Sequence, residues 1–128
     1  MKEDKFGCVV LADRSFTLTE GVRGLLETMF ETVVTVADLK SLLESAGRLD
    51  PDLTLVDMSL AGNGNLDWVS DLRERCPGMK VVALSVHDEP GASRAAIKAG
   101  CDALVVKRTI GSDLLKVVDS VMKDDPGL

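Results

Sequence analysis

Pro51-Asp52-Leu53-Thr54-Leu55-Val56-Asp57 is the stretch on which the fold reading turns. A segment whose Leu53, Leu55 and Val56 are interrupted only by Thr54, and that closes on a carboxylate, reads as a strand covered on both faces. Pro51 predicts an extended approach to it, because the proline ring disfavours helical backbone just before it. A carboxylate at the C-terminal tip of such a strand stands where open α/β sheets place their chemistry. Three more apolar runs end comparably: Val9-Val10-Leu11-Ala12 before Asp13, Val81-Val82-Ala83-Leu84 before Ser85, and Leu104-Val105-Val106 before Lys107.

Outward from these tips, five β-type runs are predicted, at Phe6 to Ala12, Thr32 to Val36, Leu53 to Asp57, Val81 to Ser85 and Ala103 to Val106. They alternate with five helical patterns, which specifies an α/β fold with a mainly parallel sheet. Thr32 and Thr35 break the second run and mark it as an edge strand. The apolar helix positions are Val22, Leu25, Leu26 and Met29; Leu39, Leu42 and Leu43; Trp68, Val69 and Leu72; Ala95, Ala96 and Ala99; and Leu114, Leu115, Val118, Val121 and Met122. Asn65 and Ser112 are expected to cap the third and fifth helices, while Pro77-Gly78 and Gly100 should end the third and fourth.

The chain has 128 residues, a net charge of −6 and only four aromatic residues, none of them tyrosine. Its length suits one domain over residues 1–128, with a core at about 6–122 and a polar tail, or the start of a linker, at 123–128. The acidic balance argues against nucleic-acid binding by this chain, since phosphate contacts need clustered Lys and Arg. No apolar stretch is long enough for a signal peptide or a membrane span, so a soluble cytoplasmic protein is expected. Cys8, Cys76 and Cys101 match no zinc or redox spacing and read as free thiols, with Cys8 and Cys101 as small core residues.

In a doubly wound sheet, Asp13, Asp57, Ser85 and Lys107 would face one crevice. Two close carboxylates favour a hard divalent cation, Mg²⁺ being usual where phosphate is present. The lysine supplies a compact positive charge, and the hydroxyl a hydrogen bond to an arriving phosphoryl group. Taken singly, Asp13 also suits a helix-start cap, Lys107 and Arg14 suit solvated surface, and His87 suits an exposed loop.

The order of these parts resembles a bacterial response-regulator receiver domain, carried by Val10-Leu11-Ala12-Asp13, by the segment from Pro51 to Asp57, and by Ser85 and Lys107. Glu20-Gly21-Val22-Arg23-Gly24-Leu25-Leu26 and Ala95-Ala96-Ile97-Lys98-Ala99-Gly100-Cys101-Asp102 look most like receivers of the nitrate-response (NarL/FixJ) type. The resemblance implies a flavodoxin-like sheet of order 2-1-3-4-5 with five helices. It also implies transfer of a phosphoryl group to Asp57 from a histidine kinase or phosphotransfer protein, with Mg²⁺ held by Asp13, Asp57 and the Ser59 carbonyl. Such a domain is a signalling module rather than an enzyme. It would act through an effector domain, or through a homodimer on the face of the fourth helix, fifth strand and fifth helix, where Leu104, Arg108 and Lys116 lie.

Departures from the family pattern accompany the match. Two adjacent acids usually follow the first strand, and here the pair is Asp13-Arg14, which should weaken Mg²⁺ binding. Arg14 is expected to ion-pair with Asp57 or to stand in for part of the metal's charge. Leu104 replaces the usual switching Tyr or Phe, Ala61 a proline, Asn65 a glycine, Val86 a smaller residue beside the hydroxyl, and Arg108 the proline after the lysine. Val86 is expected to narrow access to Asp57, and His87 lies where family members modulate hydrolysis. Ala61-Gly62-Asn63-Gly64 reads as a mobile loop. The competing reading is a pseudo-receiver, a phosphorylation-independent interaction module. A third, a small phosphatase or flavin protein on a similar sheet, is disfavoured because Ser59 sits where an Asp-x-Asp phosphatase needs its second acid.

Overall fold

A computed structural model describes residues 5–62 and 65–123. The strands are β1 (Phe6–Ala12), β2 (Phe30–Val36), β3 (Leu53–Asp57), β4 (Lys80–Ser85) and β5 (Ala103–Val106). The helices are α1 (Phe16–Leu26), α2 (Leu39–Leu49), α3 (Asp67–Arg75), α4 (Pro90–Ala99) and α5 (Ile110–Lys123). Short 3₁₀ turns, Met58–Ala61 and Lys107–Thr109, follow β3 and β5. The parallel sheet has the order β2-β1-β3-β4-β5, so β2 lies at an edge.

Alternation along each strand splits the core into two layers. Val9, Leu11, Leu53, Leu55, Val82 and Leu84 face one side, where Val22 and Leu26 of α1 and Leu114, Val118 and Val121 of α5 cover them. Val10, Ala12, Val56, Val81 and Ala83 face the other, under Leu42 and Ala46 of α2, Trp68, Val69 and Leu72 of α3, and Ala96 of α4. Burying each large apolar side chain contributes about 1.5–3 kcal/mol, so both layers are needed for stability. The α4 helix is the least anchored, because Ala96 is its only fully buried residue.

Several local details differ from the sequence reading. The α1 helix ends at Leu26, so Met29 packs from the following turn, and β2 starts two residues earlier than expected, at Phe30. Asn65 is not the α3 cap position, which is Leu66; its Oδ1 instead accepts from Asp67 N at 2.6 Å, bracing the first turn from one residue further out. Ser112 lies inside the first turn of α5, because the 3₁₀ turn after β5 lets the helix begin at Ile110. Asp50, just before Pro51, is not extended: it closes α2 in the left-handed region, with φ 48°. Ala95 is exposed, and Cys8 is half-buried rather than core, whereas Cys76 and Cys101 are buried. Asn63 and Gly64 of the expected mobile loop, and residues 124–128 of the expected tail, lie outside the described residues; Lys123 belongs to α5.

Candidate functional site

Strand register brings the four tips to one sheet edge. Ala12 pairs with Val56, Asp57 with Leu84, and Ser85 with Val106, so Asp13, Asp57, Ser85 and Lys107 each leave at or just beyond the paired ends. Asp13, Asp57 and Ser85 are all buried. Lys107 Nζ lies 2.7 Å from Asp13 Oδ2 and 3.1 Å from Asp57 Oδ2, bridging the two acids. Its approach to Asp13 is an ion pair without hydrogen-bond geometry.

Local backbone holds the carboxylates in place. Asp13 Oδ1 accepts from Ser15 N at 2.8 Å, and Asp57 Oδ1 accepts from Ser59 N at 3.0 Å, capping the 3₁₀ turn that follows. The cap and the candidate functional position therefore coincide on the same acid. Ser59 Oγ also lies 2.9 and 3.0 Å from the two Asp57 oxygens, a contact the sequence reading did not foresee. Ser85 Oγ accepts from His87 N at 2.9 Å, which leaves its own proton free to donate elsewhere. A cavity of about 230 Å³ opens on Asp57, lined by Met58, Ser59, Gly62, Ser85, Val86, His87 and Ala92. Gly62, which closes the 3₁₀ turn at the cavity wall, has φ 84°, a conformation that favours glycine.

Residues 9–119 match the response regulator receiver domain family. The chain belongs to that family. It is 28% identical over 94% of its length to the transcriptional regulatory protein DegU of Brevibacillus brevis, of which it covers 52%. It is 31% identical over 86% of its length to the nitrate/nitrite response regulator protein NarP of Escherichia coli, again covering 52%. The chain thus spans about half the length of these curated relatives. Among solved structures, the N-terminal signal receiver domain of a Bacteroides fragilis response regulator superposes with a TM-score of 0.84 at 22% identity, covering 94% of this chain and 100% of that one, and supports the fold. Among the described residues no helix is long and apolar enough to cross a membrane.

Receivers of this family generally bind Mg²⁺ at the phosphorylation site, and the donors in this receiver answer that requirement poorly. The expected pairing of Arg14 with Asp57 does not form; Arg14 Nη2 instead donates to the Ser59 carbonyl at 3.3 Å. That carbonyl is the one assigned to the metal from sequence. Both carboxylates already share Lys107, and among the described residues no third Asp, Glu, His or Cys joins them as a metal-ligating group. Counting Lys107 and the nearby Arg14 against Asp13 and Asp57, the four side chains are formally neutral, so an added divalent cation has no net charge to compensate.

Of the receiver's remaining departures, Val86 borders the cavity. Val86 is 65% exposed and lines the cavity rim, as does His87, whose exposed ring lies 3.8 Å from Glu89. Leu104 is partly buried against the α3–α4 side of the core. Arg108 Nη2 lies 2.6 Å from Asp88 Oδ2 and ties the loop after β4 to the turn after β5. That hydrogen bond, reinforced by the guanidinium's charge, holds the Asp88 carboxyl below the usual carboxylate range. The Asp88 partnership and the Ala92 lining carried no spacing signal in the sequence.

Proposed function

We propose that this receiver accepts a phosphoryl group on Asp57 from the phosphohistidine of a sensor kinase or phosphotransfer protein, as a cytoplasmic signalling domain rather than a turnover enzyme. The observation that carries the reading is the Lys107 bridge between Asp13 and Asp57, with Asp57 and Ser85 both lining one cavity. An Asp57 carboxylate oxygen attacks phosphorus, and the O–P bond forms as the donor's N–P bond breaks. The bonding electron pair stays on the imidazole nitrogen, which takes a proton from solvent. Lys107 offsets the charge on the transferred group, the general task in such transfers. The free Ser85 proton is placed to bond a phosphoryl oxygen, which would draw in the loop after β4 and the lightly anchored α4. No step in this reading depends on Mg²⁺.

Intact-mass measurement after incubation with acetyl phosphate tests the reading. Wild type should gain the mass of one phosphoryl group and Asp57→Asn should not. An unmodified wild type, or a modification that persists in Asp57→Asn, overturns it. A second reading, a phosphorylation-independent interaction module, is favoured by Arg14 on the Ser59 carbonyl and by Leu104 in place of a switching ring. An unmodified wild type that still binds its partner would select it.

A further inference from the structure

The loop after β1 carries a cation where the family carries an acid, and its placement has a chemical consequence. A hard divalent ion at this sheet edge needs oxygen donors and excess negative charge. Arg14 removes both. Its guanidinium occupies the Ser59 carbonyl, and its charge, added to that of Lys107, cancels Asp13 and Asp57. With an acid at position 14 the same four side chains would carry a formal charge of minus two, which a divalent ion neutralises. With arginine they carry zero.

We infer that the Arg14 guanidinium takes the divalent cation's place in this pocket, so that the site is closed to Mg²⁺ and receives its phosphoryl group without it. The second half of this statement rests on the phosphoacceptor reading of Asp57; the first half does not. A guanidinium suits the role because it is permanently charged, planar and rich in donors that match phosphoryl oxygens. Arg14 is exposed, with the hydrogen bond to Ser59 as its described polar contact, so it is free to exchange that carbonyl for an incoming anion. The exposed position also means that its replacement leaves the core intact.

The test uses the whole chain in two measurements. In calorimetric titration with MgCl₂, wild type and Arg14→Lys should show no saturable binding below millimolar concentration. Arg14→Asp should bind Mg²⁺ at least about tenfold more tightly, as a reversal of charge beside a divalent ion requires. In the acetyl phosphate assay, wild type should be modified within about twofold as fast in excess EDTA as in Mg²⁺, whereas Arg14→Asp should lose most of its modification in EDTA. Wild-type binding of Mg²⁺ at micromolar concentration, no tightening in Arg14→Asp, or a wild-type modification abolished by EDTA overturns the inference. A wild type that takes no phosphoryl group under either condition fails the phosphoacceptor reading, and the Mg²⁺ titration then decides the cation assignment by itself.

Discussion

Replacing Lys107 by methionine isolates the interaction that assembles the site. At an effective dielectric of about 20, unit charges 2.7 and 3.1 Å apart attract by about 6 and about 5 kcal/mol. Repulsion between the two carboxylates and the desolvation of all three groups offset most of that sum. Removing one partner from a buried ion pair typically costs 3–5 kcal/mol, because the remaining charge stays buried and uncompensated. Lys107 retains 17% side-chain exposure, which favours the lower end, about 3 kcal/mol. Urea unfolding followed by the fluorescence of Trp68, the only tryptophan and a buried one, should show that loss as a lower midpoint with an unchanged slope. In a thermal scan the same loss is roughly 10 °C. Adding Asp57→Asn to Lys107→Met should recover at least about 1 kcal/mol, since it deletes one of the two carboxylates left facing each other. A loss below about 1 kcal/mol, the range of exposed ion pairs, would refute the reasoning, as would a double variant no more stable than Lys107→Met.

Further outcomes follow from three other groups, Cys101, Asp88 and Thr54. Burial pushes the Cys101 thiol up to about 11, so at pH 8 iodoacetamide should label half-buried Cys8 first and reach Cys101 only on unfolding, as peptide mass mapping will show. The same shift has a stability sign: from the ordinary 9.0 up to about 11 the unfolded thiol loses its proton while the folded one keeps it, so stability should fall across that window. The Asp88 carboxyl, held low first by the hydrogen bond from Arg108, should titrate below the ordinary 3.8 in carboxyl-detected NMR. Its contribution is present above that ordinary value and is lost as pH falls through the depressed one; Arg108→Met should move the midpoint upward, and an unmoved midpoint would remove the tie between the two loops. Thr54 Oγ1 is fully buried in β3 without a hydrogen-bond partner, so Thr54→Val should raise stability by about 1 kcal/mol in urea, and a loss would mean that the hydroxyl is satisfied.

What the sequence discloses about this receiver divides along a physical line. Strand ends are legible because burial on both faces demands a mostly apolar run, interrupted in β3 only by Thr54, and the polar residue that ends it, as Asp13, Asp57, Ser85 and Lys107 each do, falls at the C-terminal edge of the sheet. Helix starts are less so. Ser112 has the chemistry of a cap, but a 3₁₀ turn after Val106 advances the start of α5 to Ile110, and such turns depend on packing rather than on a residue type. Arg14 shows the limit most clearly. Its sign can be read from the chain, and with it the loss of an acid beside Asp13. Its partner cannot, because a long side chain reaches several acceptors and the one it finds, the Ser59 carbonyl, belongs to the backbone and carries no letter. An Arg14–Asp57 pair would have competed with Lys107 for the Asp57 carboxylate. A bond to the Ser59 carbonyl leaves Asp57 to Lys107 and occupies instead the oxygen that the sequence reading expected to face a metal.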